Sequence, residues 1–153
     1  MFLYACVTVS SQSPAAADTP QWIPAQLSVT GNSDEPSSFI GLTLIELIGR
    51  FGVPTSVYAA RGMEMWQDDV VFMYEAGDFY VYKDHVWQVS LKSAYGIRLG
   101  DSRAAVTRAL RWPTQSYGDS TLCVLSGLAW PLTLRIDYVN AAVSAIRIYR
   151  SDF

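Results

Sequence analysis

The chain has 153 residues, half of them apolar and 16% charged, with a formal net charge of −3. That length suffices for one domain with its own core, and that composition excludes wholesale disorder. Asp18, Asp34 and Glu35 are the only charges in the first 35 positions, so the remainder balances eleven basic against eleven acidic groups, without the clustered Lys and Arg that nucleic acid requires.

In chain order, residues 1–38 read as a leader. Ser10 to Ser38 is rich in Ser, Pro, Ala, Thr and Asn, with Trp22, Ile23 and Leu27 as isolated apolar residues, a composition that cannot repay the entropy of ordering. Ahead of this tether, Leu3-Tyr4-Ala5-Cys6 resembles a bacterial lipobox, which implies lipidation at Cys6 and attachment to a membrane. The run before Cys6 is shorter than a signal-peptide core of about 7 to 15 residues and has no basic start.

The folded domain is expected over residues 39–153. Thr43 and Ser102 have the chemistry of N-caps, and Pro54 and Pro113 block continuation of the two helices. Leu44, Leu47, Ile48 and Phe51 recur at helical spacing, and Val106, Ala109 and Leu110 do so more weakly. Strand signals come after each helix: Val70 to Tyr74 and Phe79 to Leu91, then Thr121 to Leu125 and Leu132 to Tyr149. Turn residues separate them at Glu75-Ala76-Gly77-Asp78, Asp84-His85, Ser126-Gly127 and Asn140-Ala141-Ala142. Gly41 and Gly100 each stand 13 residues before a proline, so the sequence predicts an α+β fold of two tandem helix-plus-antiparallel-meander units, about 39–94 and 95–153, forming one sheet with the helices on one face.

If Asp84-His85 is a two-residue turn, then Tyr80, Tyr82, Trp87, Val89 and Leu91 share a face with Ile136, Tyr138, Ile146 and Ile148, and this face is expected to be core. The other face then carries Phe79, Val81, Lys83, Gln88, Arg135, Asp137, Arg147 and Tyr149. Its mixture of aromatic, Arg and polar side chains is that of a protein interface, and Phe79, Lys83, Gln88, Arg135, Asp137, Arg147 and Tyr149 are the candidate partner-binding residues.

Catalytic chemistry has little to stand on. His85 beside Asp84 reads as a hairpin turn, Asp68 and Asp69 point to opposite sides of an extended segment, and Cys123 reads as a buried small hydrophobe. One His and one core Cys do not make a zinc site, and Gly41, Gly49 and Gly52 match no phosphate-loop fingerprint, so no metal or cofactor is expected. Arg103, Arg108 and Arg111 read as the wet face of the second helix.

Gly41-Leu42-Thr43, Leu47, Phe51-Gly52-Val53-Pro54 and Trp66 before Val70 to Tyr74 resemble small outer-membrane assembly lipoproteins of the SmpA/OmlA type, and the doubled unit is similar to the beta-lactamase inhibitor proteins. The resemblance implies a non-enzymatic envelope protein that faces the periplasm and binds protein partners through an exposed surface. The second reading is a soluble secreted or periplasmic inhibitor or ligand-binding module.

Overall fold

The computed structural model describes residues 27–28, 35–62, 68–110, 114–126 and 129–152; Cys6, Trp66 and Arg111 lie outside these. In chain order the elements are β1 (Leu27–Ser28), a 3-10 turn (Pro36–Phe39), α1 (Leu44–Phe51), β2 (Ser56–Ala60), β3 (Asp69–Met73), β4 (Gly77–Tyr82), β5 (His85–Leu91), β6 (Ser93–Ala94) and β7 (Ile97–Arg98). Then come α2 (Arg103–Leu110), β8 (Gln115–Tyr117), β9 (Ser120–Ser126), β10 (Leu132–Val139) and β11 (Ala142–Arg150).

The expected fold class is corrected by the sheet. Nine strands form one largely antiparallel sheet in the order β1-β9-β10-β11-β5-β4-β3-β2, with β8 also on β9, and β6 and β7 form a small second sheet. Helix is confined, among the described residues, to two eight-residue α-helices and the 3-10 turn. Two copies of a helix-plus-meander unit leave no place for β1, which runs parallel to β9 at the sheet edge, or for the β6–β7 pair. Strand pairing organises this domain, because the long ladders of β10 with β9 and β11 satisfy far more backbone than either short helix.

The helix starts follow from local chemistry. The Thr43 hydroxyl accepts from the Glu46 amide at 3.3 Å and the Glu46 carboxylate accepts from the Thr43 amide at 2.8 Å, a reciprocal capping box that opens α1. The Ser102 hydroxyl accepts from the Ala105 amide at 3.3 Å at the start of α2. Of the α1 stripe, Leu47 is fully buried, whereas Ile48 is exposed. The segments ahead of the helices are stitched to the hairpins beneath them: the Gly41 amide donates to Val86 O at 2.7 Å and the Gly100 amide to Val143 O at 2.8 Å.

One core lies against the inner face of the sheet. Phe79, Val89, Leu91, Leu134, Ile136, Ile146 and Ile148 meet Leu47 of α1, Val106 and Leu110 of α2, Phe39 and Ile97. At one end Phe79 sits in an aromatic cluster, with ring centroids 4.9 Å from Phe51, 5.4 Å from Tyr74 and 5.8 Å from Phe39. Contacts of this kind add to the area each ring removes from water.

Candidate functional site

Which side chains reach the outer face is decided by two turns and two bulges. The first hairpin turns on Lys83-Asp84, with φ of 45° and 66°, so Tyr82 pairs with His85 and not with a residue farther along. The turn expected at Asp84-His85 is therefore displaced by one residue, and a shift of one flips every side chain of β4. Phe79 and Val81, expected on the binding face, are buried in the core, so Phe79 is withdrawn from the candidate binding residues. Tyr80 and Tyr82, expected in the core, alternate onto the outer face.

A β-bulge absorbs the extra residue. Tyr80 pairs with Gln88 and Val81 with Val86, which leaves Trp87 unpaired in the ladder. Trp87 thus lies on the outer face beside Gln88, where its indole Nε1 donates to Asp69 Oδ1 at 2.9 Å. The expectation that Trp87 is core is overturned by that bulge. The second hairpin turns on Asn140-Ala141, with φ of 51° and 63°, and its bulge leaves Ser144 between Asp137↔Ala145 and Tyr138↔Val143. That extra residue lets Val143 and Ile146 of β11 both enter the core, while Tyr138 and Asp137 keep the regular alternation of β10.

Arg135, Asp137, Arg147 and Tyr149 lie together on the outer face. Arg135 and Arg147 stand directly opposite each other on β10 and β11, where two like charges repel. Asp137 resolves the conflict: its Oδ1 accepts from Arg135 Nε at 2.7 Å and from the Ser120 hydroxyl at 2.6 Å, and its Oδ2 accepts from Arg147 Nη1 at 2.8 Å. Arg135 Nη2 also donates to the Ser120 hydroxyl at 3.2 Å. Burial alone would raise the Asp137 carboxyl, but the Ser120 hydroxyl and the two guanidiniums outweigh it and hold the group below its ordinary range. Two cations share one anion, so the cluster keeps a positive charge on a chain whose net charge is −3.

Beside the cluster, Thr133, Tyr149, Gln88, Tyr80, Val71 and Tyr58 form one cross-strand row from β10 to β2. Val71 is fully buried although it belongs to the outer face. Burial and the neighbouring Tyr58 phenol and Asp78 outweigh Arg147 and raise the Tyr80 phenol. Between β5, β10 and β11 the face is hollowed by about 330 Å³, bordered by Trp87, Gln88, Arg135, Arg147, Tyr149, Arg150 and Ser151. Arg150 lies 4.0 Å above the Trp130 ring and pairs with Asp152 at 2.9 and 3.0 Å. Lys83, the remaining candidate, sits in the exposed hairpin turn with its ammonium 5.1 Å from the Tyr82 ring centre.

Ser120, Tyr58, Tyr80 and Trp87 join this face without having been candidates. Ser120 gives a signal in sequence only once the β9–β10 register is known, because it opposes Asp137. The chemical alternatives do not assemble. His85 is exposed, with Nδ1 3.0 Å from Lys83 O, and the Cys123 thiol is buried, which pushes its pKa up and suppresses the thiolate. Among the described residues no group of three or more His, Cys, Asp or Glu could hold a metal ion. Arg103 lies 4.2 Å over the Tyr138 ring and donates to Gly118 O, a packing role at the end of the sheet.

No protein-family model and no curated protein matches the chain. Among solved structures it is similar to an extracellular protein containing an SCP domain from Bacillus anthracis str. Ames, with a TM-score of 0.50 and 12% identity over 86% of this chain and 50% of that one. The chain thus spans about half the length of that protein. At such identity the likeness shows the fold alone, and the architecture shared with that protein replaces the two-unit description expected from the sequence.

Proposed function

We propose that this chain is a non-catalytic binding module of the bacterial cell envelope, and that the outer face of its sheet receives a protein partner. The observation that carries the reading is the Arg135–Asp137–Arg147 cluster, braced by Ser120 and set beside the hollow under Trp87 and Tyr149. Guanidiniums already held in place lose less freedom on binding than free ones, and aromatic rings with Arg are what interfaces enrich. In this reading Cys6 carries the lipid anchor and the domain faces the periplasm from the outer membrane, as the likeness of residues 3–6 to a lipobox suggests. A second reading, a soluble secreted inhibitor or ligand-binding module, is favoured by the extracellular description of the protein with the similar fold.

A photo-crosslinking amino acid at Gln88, with Arg108 on the exposed side of α2 as the control position, tests the face in intact cells. One discrete protein joined from position 88 and not from 108 supports the reading; the same products from both positions, or none from 88, refute it. Fatty-acid labelling of the protein in its natural gene context, compared with Cys6→Ser, separates the anchored from the soluble reading. Label on the unchanged protein alone supports the anchor, because a diacylated cysteine buries many methylenes at about 0.8 kcal/mol each.

A further inference from the structure

We infer that the hollow beside Tyr149 is a carboxylate-binding site that takes an acidic stretch, Glu- or Asp-bearing, of a partner polypeptide. This rests on the binding-face reading and adds to it the chemistry of what is bound. Two guanidiniums, of Arg135 and Arg147, face the hollow; Arg150 also borders it, but it stands opposite the buried Leu132 and its guanidinium lies over the Trp130 ring. Among the described residues the two share one carboxylate partner, Asp137, so the pair keeps an excess positive charge in a chain that is acidic as a whole.

The geometry favours a carboxylate in particular. Asp137 and Ser120 hold the Arg135 guanidinium by Nε and Nη2, which fixes its plane. Arg147 engages Asp137 through Nη1, and among the described residues its Nε and Nη2 make no hydrogen bond. Those two donors form the fork that accepts a carboxylate bidentately. Trp87 and Tyr149 supply aromatic wall for the methylenes and neighbouring side chains of a peptide, and Gln88 supplies an amide for its backbone. A free phosphate would leave most of a 330 Å³ hollow empty, and the hollow is lined by strand side chains and not by the helix-end or nest amides that commonly cradle phosphate. An extended acidic segment fills both the charge and the shape.

The test is titration of the isotope-labelled chain with N-acetyl-tetraglutamate amide, N-acetyl-tetraglutamine amide and inorganic phosphate, followed by nuclear magnetic resonance. The glutamate peptide is expected to shift the Arg147 Nε–H, Trp87 indole and Tyr149 amide signals saturably, and at least tenfold more tightly than the glutamine peptide. Arg147→Gln should weaken it about tenfold, and Arg147→Lys, which keeps the charge but not the fork, should fall between. Signals of Leu47 and Val106 report whether each variant keeps its core. Equal binding of the two peptides overturns the carboxylate assignment, as does saturation by phosphate without response to the glutamate peptide, or no shift on this face. If no peptide binds while the Gln88 crosslink still captures a partner, the acidic-segment inference falls and the binding face stands. If the glutamate peptide binds but the crosslink captures nothing, the site stands and the envelope-partner reading falls.

Discussion

The indole of Trp87 reaches past β4 to donate to Asp69 on β3, and it does so on the side of the sheet away from the core. Phe79, eight positions earlier, points to the other side and is fully buried among Phe39, Phe51 and Tyr74. The two rings therefore carry different weights. Phe79→Ala should cost about 3 to 5 kcal/mol, the range for emptying an aromatic site in a core. Trp87→Ala should cost roughly 1 to 2 kcal/mol, for one hydrogen bond and partial burial. Urea unfolding of both variants measures the difference, and the opposite ranking would place the sheet the other way round.

Asp137 separates two facing arginines, so Asp137→Asn should destabilise by roughly 1 to 3 kcal/mol at neutral pH. Its folded pKa lies below the ordinary 3.8, so the carboxylate's contribution is complete above that value and is lost as pH falls through the folded pKa. Wild type and variant should accordingly differ most at neutral pH and converge in acid. Thermal melts across that range provide the comparison. A gap that stays constant into strong acid would remove Asp137 ionisation as its source.

Burial pushes the Tyr95 phenol up to about 12 against an opposing pull from the adjacent Ser37, and neither hydroxyl makes a hydrogen bond of good geometry among the described residues. Tyr95→Phe discards an unpaired polar atom and should change stability at neutral pH by no more than about 1 kcal/mol, in the favourable direction. Because the folded pKa is raised above the unfolded value of 10, the stability tied to the neutral phenol is present below pH 10 and is lost as pH rises toward 12. The Phe variant escapes that loss, so its advantage should grow over this interval in guanidine titrations. A Phe variant weaker than wild type throughout would show that the hydroxyl is paired.

Ala141 adopts φ of 63° in the turn between β10 and β11, a left-handed conformation that a side chain resists. Ala141→Gly places a glycine directly after Asn140, the Asn-Gly order that two-residue turns of this hand prefer, and should stabilise by roughly 1 kcal/mol. Calorimetry should register a melting temperature higher by a few degrees. A decrease would mean that unfolded-state entropy outweighs the relief of strain in this turn.

Much of the second half is legible in the sequence. In β10 and β11 the alternation is strict, with Leu134, Ile136, Ile146 and Ile148 against Arg135, Asp137 and Arg147, so the pattern alone separates core from surface. The N-caps Thr43 and Ser102 are equally local, since a hydroxyl and the amide three residues on need nothing distant to meet. The bulge at Ser144 leaves those faces intact because it falls beyond Asp137.

The first hairpin is where local information runs out. Phe79 and Val81 alternate with Tyr80 and Tyr82, so both faces of β4 offer rings and either could be core by composition. Tyr82-Lys83-Asp84-His85 allows a two-residue turn at Lys83-Asp84 or at Asp84-His85, and each choice sends a different pair inward. What decides is distant in the chain: the pocket made by Phe39, Phe51 and Tyr74 accepts a ring without a hydroxyl, and the bulge at Trp87 lets β5 keep Val86 and Val89 inside while β4 does the same with Phe79 and Val81. Side-chain alternation, caps and the presence of hairpins were thus determined by neighbours in sequence. Register, the pairing of β11 with β5, and the meeting of Ser120 with Asp137 were decided only by tertiary packing, because a ladder has the same hydrogen bonds in either register until the core selects the one that buries its rings.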